Sequence, residues 1–205
     1  MQKPCLIIVH GLPATGKTAV STEISNRLHI PVFAKDALKE AMFDTVGYSD
    51  KAWSSKVSHA SHRLMDIIIE QELGCSRSLM VEGNFKPDID SARFHRLCEK
   101  YSASCLQLLC WAEGEGLYNR FQERETSPDR HPAHVHPDYP RSLVKELLAP
   151  GKAVPLYSVD NTIEIDTSDF SLIDYTMLTS KISSFMTDGR LSGVPIQRKV
   201  ADETA

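Results

Sequence analysis

The sequence predicts an α/β fold: a five-stranded parallel sheet with helices on both faces. Three observations carry this. Five short apolar runs alternate with segments of helical periodicity along the 205 residues. That order gives parallel strands joined by right-handed crossovers. The run from Ser104 to Trp111 is almost continuously apolar, as in a strand covered on both faces. The first run breaks directly into Gly11-x-x-x-x-Gly16-Lys17-Thr18, a phosphate-binding loop pattern in the strand-to-helix context it requires.

The elements follow in order. Pro4 to Val9 is the first strand, and the helix after the loop carries Val20, Ile24 and Leu28 at helical spacing. Pro31 to Ala34 is a short second strand. Asp36 to Phe43 is a helix with Leu38 and Met42 inward. A long helix from Asp50 to Leu73 buries Val57, Leu64, Ile67 and Ile68, with Met65 beside them, and stops at Gly74. Ser78 to Val81 is the third strand, ending at Glu82-Gly83-Asn84-Phe85. Pro87 opens a helix that runs to Tyr101, a first-turn position where proline is accepted. Ser104 to Trp111 is the fourth strand and Glu113 to Glu125 a helix. Ser127 to Pro140 holds four prolines and three histidines, which excludes regular structure. An irregular stretch of that length is usually a functional lid. Arg141 to Leu148 is a short helix, Asn161 to Asp166 the last strand, and Ser171 to Met186 the last helix. Residues 1–188 form one domain, with the lid at about 113–148, and 189–205 form a polar tail.

Composition narrows the function classes. A hydrophobic content of 41% and a charged content of 24% suit an ordinary globular domain. The net charge of -4 provides no global basic field for nucleic acid. No run approaches the ~20 apolar residues that span a bilayer, and no signal-peptide pattern precedes the first strand. The cysteines Cys5, Cys75, Cys98, Cys105 and Cys110 are odd in number and show no CxxC spacing. A disulfide framework or zinc site is not expected. Cys5, Cys105 and Cys110 lie in apolar runs as small core residues, and a reducing cytoplasm fits.

In open α/β sheets ligands bind beyond the carboxyl ends of the strands. The candidate nucleotide cradle is therefore Gly11, Leu12, Pro13, Ala14, Thr15, Gly16, Lys17 and Thr18. Its backbone N–H groups form an anion nest, and the following helix adds its positive end. Lys17 reaches the β- and γ-phosphates, and the Thr18 hydroxyl binds Mg²⁺. Asp36, directly after strand 2, suits a general base for an attacking hydroxyl or a Mg²⁺ ligand through water, and a helix cap there is compatible with catalysis. Glu82, ending strand 3, is placed to help order the Mg²⁺ shell. Arg120 and Arg124 are four apart and share a helix face, and Arg130 follows. Such a cluster suits the charge on a transferring phosphoryl group. His131, His134 and His136 read as lid residues touching nucleotide or substrate rather than as metal ligands. Tyr48 and Trp53 are candidates for a substrate border, and Trp111 for the core.

Taken together, the loop, Lys35-Asp36-Ala-Leu-Lys39-Glu40, Val81-Glu82-Gly83-Asn84-Phe85 and the stretch from Arg120 to His134 resemble the small P-loop kinases known as AAA-type ATP-binding domains. Their relatives are the polynucleotide 5′-hydroxyl kinases, zeta-toxin kinases and chloramphenicol phosphotransferases. The resemblance covers about residues 4–170. It implies a three-layer P-loop NTPase fold of nucleoside-monophosphate-kinase type and a mobile, arginine-bearing helical lid. It implies Asp36 as general base, Lys39 and Asn84 among the substrate contacts with Asp36 and Glu82, and Arg124 as the γ-phosphate arginine with Arg120 beside it. Lys39 stands where polynucleotide kinases carry arginine, and the Pro-Arg that follows Asp-Gly in nucleoside-monophosphate kinases is absent.

The resulting expectation is an ATP- and Mg²⁺-dependent cytoplasmic kinase for a small-molecule hydroxyl. Its substrate would lie between the helices of residues 36–73 and the sheet's upper edge. One alternative is a nucleotide or polynucleotide 5′-end kinase, with a basic cleft near Lys35, Lys39, Lys51 and Lys56. Another is a nucleotide-binding module or slow ATPase with no metabolic acceptor.

Overall fold

The structure is a computed structural model. It describes residues 3–47, 49–134, 140–157, 159 and 161–191, together with the backbone but not the side chain of Lys51. His136 and Tyr48, both named above, lie outside the described residues.

Five parallel strands form one sheet in the order β2-β3-β1-β4-β5. They are β1 (Cys5–His10), β2 (Val32–Ala34), β3 (Leu79–Gly83), β4 (Ser104–Trp111) and β5 (Thr162–Asp166). The helices between them are α1 (Lys17–Leu28), α2 (Lys35–Val46), α3 (Lys51–Gly74), α4 (Pro87–Lys100), α5 (Gly114–Thr126), α6 (Arg141–Leu148) and α7 (Tyr175–Asp188). Alternation along β1 explains the layering. Cys5, Ile7 and Val9 face one core cluster, with Val20 and Ile24 of α1 and Leu178 and Ile182 of α7. Leu6 and Ile8 face the other, with Met65 and Ile69 of α3 and Phe94 of α4. Each β1 residue is buried, so truncating Ile7 to Ala would cost about 2–5 kcal/mol. A third, smaller cluster of Ala112, Leu117, Val144 and Leu148 joins α5 to α6.

The register sets the strand ends beside one another. His10 pairs with Gly83, and Ala34 with Glu82. The phosphate loop, the start of α2 and the Glu82 carboxylate therefore meet at the carboxyl end of the sheet.

Three expectations are corrected. The buried stripe of α3 is Val57, Ser61, Met65, Ile69 and Leu73, a row of residues four apart. Leu64 and Ile67 are 41% and 39% exposed instead, since they lie beside that row and reach past the sheet-facing side. The last helix begins at Tyr175, not Ser171, because Asp174 accepts from the Met177 N–H as its cap. The residues before it, Phe170–Leu172, form a single 3-10 turn. Cys105 and Trp111, read as core, are only partly buried at the two ends of β4.

Candidate active site

The first half of the site is main chain. Gly11 must lack a side chain, because a Cβ there would run into the Cys110 carbonyl oxygen. Gly16 sits at φ 70°, and the Phe170 ring covers the space a Cβ would need. The N-cap of α1 is Gly16, which has no side chain to cap it, so the first-turn N–H groups stay available to an anion. Ala14 is left-handed at φ 64°, a conformation that costs a non-glycine residue about 1 kcal/mol. Thr15 Oγ1 donates to the Leu12 carbonyl at 2.8 Å and stiffens the turn. Lys17 is only 7% exposed, and its Nζ donates to the same carbonyl at 2.8 Å. Burial pulls the Lys17 pKa down, while Glu82 opposes that shift. A buried cation held by neutral oxygens calls for an anion, and a polyphosphate fits the cradle.

The second feature is a pair of hard oxygen donors. The Thr18 hydroxyl donates to Glu82 Oε2 at 3.0 Å. Burial raises the Glu82 pKa, and Lys17 and the Thr18 hydroxyl lower it in part. A hydroxyl and a carboxylate beside a phosphate cradle are the donor set Mg²⁺ favours.

Beside this floor lies a cavity of about 520 Å³. Pro13 of the loop, Asp36 and Lys39 of α2, and Asn84 border it below. The lid closes it with Arg124 of α5, Arg130 and His134. Tyr118, Phe121, Val144 and Leu147 make its apolar wall. The cavity thus lies between α2 and the lid. Among the described residues α2 contributes to its lining and α3 does not, whereas the substrate was expected against both helices. Burial raises the Asp36 carboxyl, but Lys35, His134, Lys17 and Arg124 together outweigh it and hold the group below its ordinary value. Lys35 Nζ lies 3.5 Å from Asp36 Oδ1.

The lid rests on one face of α2. Lys39 Nζ donates to the Ala133 carbonyl at 2.8 Å, and His134 Nε2 meets Glu40 at 2.7 Å. His131 Nε2 meets Asp44 at 3.0 Å, and its ring packs edge-on against Phe43 at 5.5 Å. Burial lowers the His134 pKa, with Asp36 and Glu40 acting against it. Among the described residues, no group of three His, Cys, Asp or Glu could hold a metal ion.

Arg120 and Arg124 were expected to act together, and the structure separates them. Arg124 lines the cavity. Arg120 instead donates to the Thr167 and Ser168 carbonyls at 2.9 and 2.8 Å. Its guanidinium lies 5.1 Å from the Phe170 ring centroid. It therefore braces the loop after β5 over Gly16. Trp53 stays with its own helix start, donating to the Gly47 carbonyl at 2.8 Å.

Sequence reasoning missed three residues. Phe170 follows a strand end by four positions, which could have flagged it. Arg141 carried no signal beyond its charge. His10, last in β1, is 2% exposed. Its Nε2 pairs with the Val154 carbonyl at 3.2 Å and its Nδ1 accepts from the Phe85 N–H at 3.3 Å. That clamp ties two loops beneath the site.

Comparison with known proteins places this geometry. No curated protein matches the chain. Among solved structures it is similar to a candidate kinase from Chloroflexus aurantiacus, with 34% identity and a TM-score of 0.82 over 89% of this chain and 98% of that one. Two further structures share the fold at 14% identity. One is a sugar kinase from Janibacter sp., with a TM-score of 0.54 over 90% of this chain and 98% of that one. The other is Kti12 of Chaetomium thermophilum in complex with ADP-AlF3, with a TM-score of 0.59 over 88% of this chain and 98% of that one. The sequence pattern of the AAA domain family matches residues 6–144. The chain belongs to that family and has the P-loop kinase fold.

Proposed function

We propose that the protein is an ATP- and Mg²⁺-dependent kinase that phosphorylates a hydroxyl group of a small molecule. The observation that carries this is the shared cavity of Asp36 and Arg124, which opens beside the phosphate loop at Pro13. A volume of about 520 Å³ suits a small molecule rather than a polymer end.

Each residue has a role that its surroundings support. Lys17 and the loop amides grip the β- and γ-phosphates. Thr18 and Glu82 would hold Mg²⁺, which when bound would offset the phosphate charge, and ATP is the phosphoryl donor. Asp36 is ionised at neutral pH because nearby cations hold it below its ordinary value. Its carboxylate accepts the acceptor's hydroxyl proton as the oxygen attacks phosphorus and the bond to the β-phosphate oxygen breaks. Arg124 faces the transferring group. Arg120 acts at one remove, by holding the Phe170 loop against Gly16.

The test is a screen of sugars, nucleosides, antibiotics and oligonucleotide ends for uptake of labelled γ-phosphate. Against the accepted compound, Asp36→Asn should lower turnover by about 10² or more while Mg-ATP affinity stays nearly intact. Unchanged turnover would remove Asp36 from the chemistry. Nucleotide binding with no phosphorylated product across the screen would favour a binding module instead.

A further inference from the structure

The cavity holds more positive charge than phosphoryl transfer needs. Lys35, Lys39, Arg124, Arg130 and Arg141 face it, against the carboxylates of Asp36 and Glu125. Among the described residues, five cations against two carboxylates leave a surplus of three. Both carboxylates already have partners: Lys35 lies 3.5 Å from Asp36, and Arg130 lies 2.6 Å from Glu125. Lys39, Arg124 and Arg141 have no carboxylate partner among the described residues. The role proposed above uses Arg124 alone.

Burial makes the surplus significant. The Lys39 residue is 5% exposed, and its ammonium donates to the Ala133 carbonyl. The Arg130 side chain is 10% exposed, and its Nε is buried with no hydrogen-bond partner among the described residues. A second Arg130 nitrogen meets the His134 carbonyl at 3.2 Å. The cations also oppose one another. Burial is the first cause that lowers both pKa values, and neighbouring like charges add to it: Lys35 and Arg130 for Lys39, Arg124 for Arg130. A crowd of desolvated like charges is relieved by an anion.

Resting on the kinase reading above, we infer that the acceptor is itself an anion, a small hydroxylated carboxylate or phosphate ester. Its charged group is held by Arg130 and Arg141 with Lys39 beside them, on the lid side of Asp36. Its hydroxyl then faces Asp36 and the phosphate loop. Arginine's planar fork suits either oxyanion. The apolar wall of Tyr118, Phe121 and Val144 excludes water around the carbon skeleton.

The experiment uses the full chain and calorimetry in two stages. The protein is first saturated with Mg²⁺ and a non-hydrolysable ATP analogue. Absence of heat at this stage would overturn the kinase reading itself. Inorganic phosphate, glycerate and glycerol are then titrated separately into the loaded protein. One or both anions should saturate and glycerol should not, and the stronger of the two distinguishes a phosphate from a carboxylate acceptor. Arg130→Gln and the exposed Arg141→Gln should each weaken anion binding about tenfold or more. Arg141→Gln should keep the parent's thermal midpoint, which separates charge loss from unfolding. Nucleotide heat followed by no anion saturation up to roughly 50 mM, an affinity far below that of ordinary metabolite sites, would overturn the inference alone. So would equal binding of glycerol, or anion binding indifferent to both substitutions.

Discussion

The two halves of the site are built on different principles. The phosphate floor is local: eight consecutive residues, two indispensable glycines and a helix end capped by a glycine. The acceptor half is assembled across the chain: Lys39 meets Ala133 and Glu40 meets His134, each pair 94 residues apart. The difference teaches where each half is vulnerable. The floor depends on backbone conformation, so a single methyl group can destroy it. The lid side depends on several moderate polar contacts, so single changes there should grade affinity rather than abolish it.

The largest effect should come from Gly16→Ala. The new Cβ meets the Phe170 ring while φ stays at 70°. Mg-ATP affinity, read by calorimetry, should fall by about 10² or more. Adding Phe170→Ala makes room but leaves the backbone strained, so the double variant should not recover. Full recovery would mean that the ring, and not the main chain, limits this position.

An intermediate effect belongs to the lid contacts. A double-mutant cycle of Glu40→Gln and His134→Gln, read on the acceptor KM, should give a coupling of about 1 kcal/mol or less. The Glu40 side chain is 36% exposed, and water screens the pair. Zero coupling would show that the lid closes without this bridge. A coupling near that of a buried pair would show that the halves are more alike than their construction suggests.

The smallest effect concerns pH and sits beneath both halves. Burial lowers the His10 pKa from the ordinary 6.5. The folded protein therefore binds fewer protons there than the unfolded chain does. The contribution is fully present above pH 6.5 and is lost as pH falls through the folded value. His62 and His134, also lowered chiefly by burial, act in the same direction. His10→Gln offers one donor for Val154 and one acceptor for Phe85 without titrating. It should flatten the decline in thermal midpoint between pH 7.5 and 5.5, windows chosen around the histidine range. An unchanged slope would show that His10 does not carry the pH sensitivity.

Legibility followed the same division. The order of elements, Lys17, Thr18 and the strand-end positions of Asp36 and Glu82 could be read directly, because strand-loop-helix geometry is encoded by adjacent residues. The divergence of Arg120 from Arg124 could not. Helical spacing puts both on one face, but only the folded loop after β5 offers Arg120 two carbonyls and a ring. Leu64 and Ile67 misled for a related reason: their spacing is helical, yet which side of α3 meets the sheet depends on how the helix is laid down.

What the sequence by itself determined is the α/β order and the phosphate loop, since both arise from short-range sterics and the alternation of apolar residues. The tertiary structure alone decided that Arg130 and Arg141 line one cavity with Asp36 and Lys39, and that His10 clamps two loops. Those groups are brought together by long-range packing, which no local pattern of residues records.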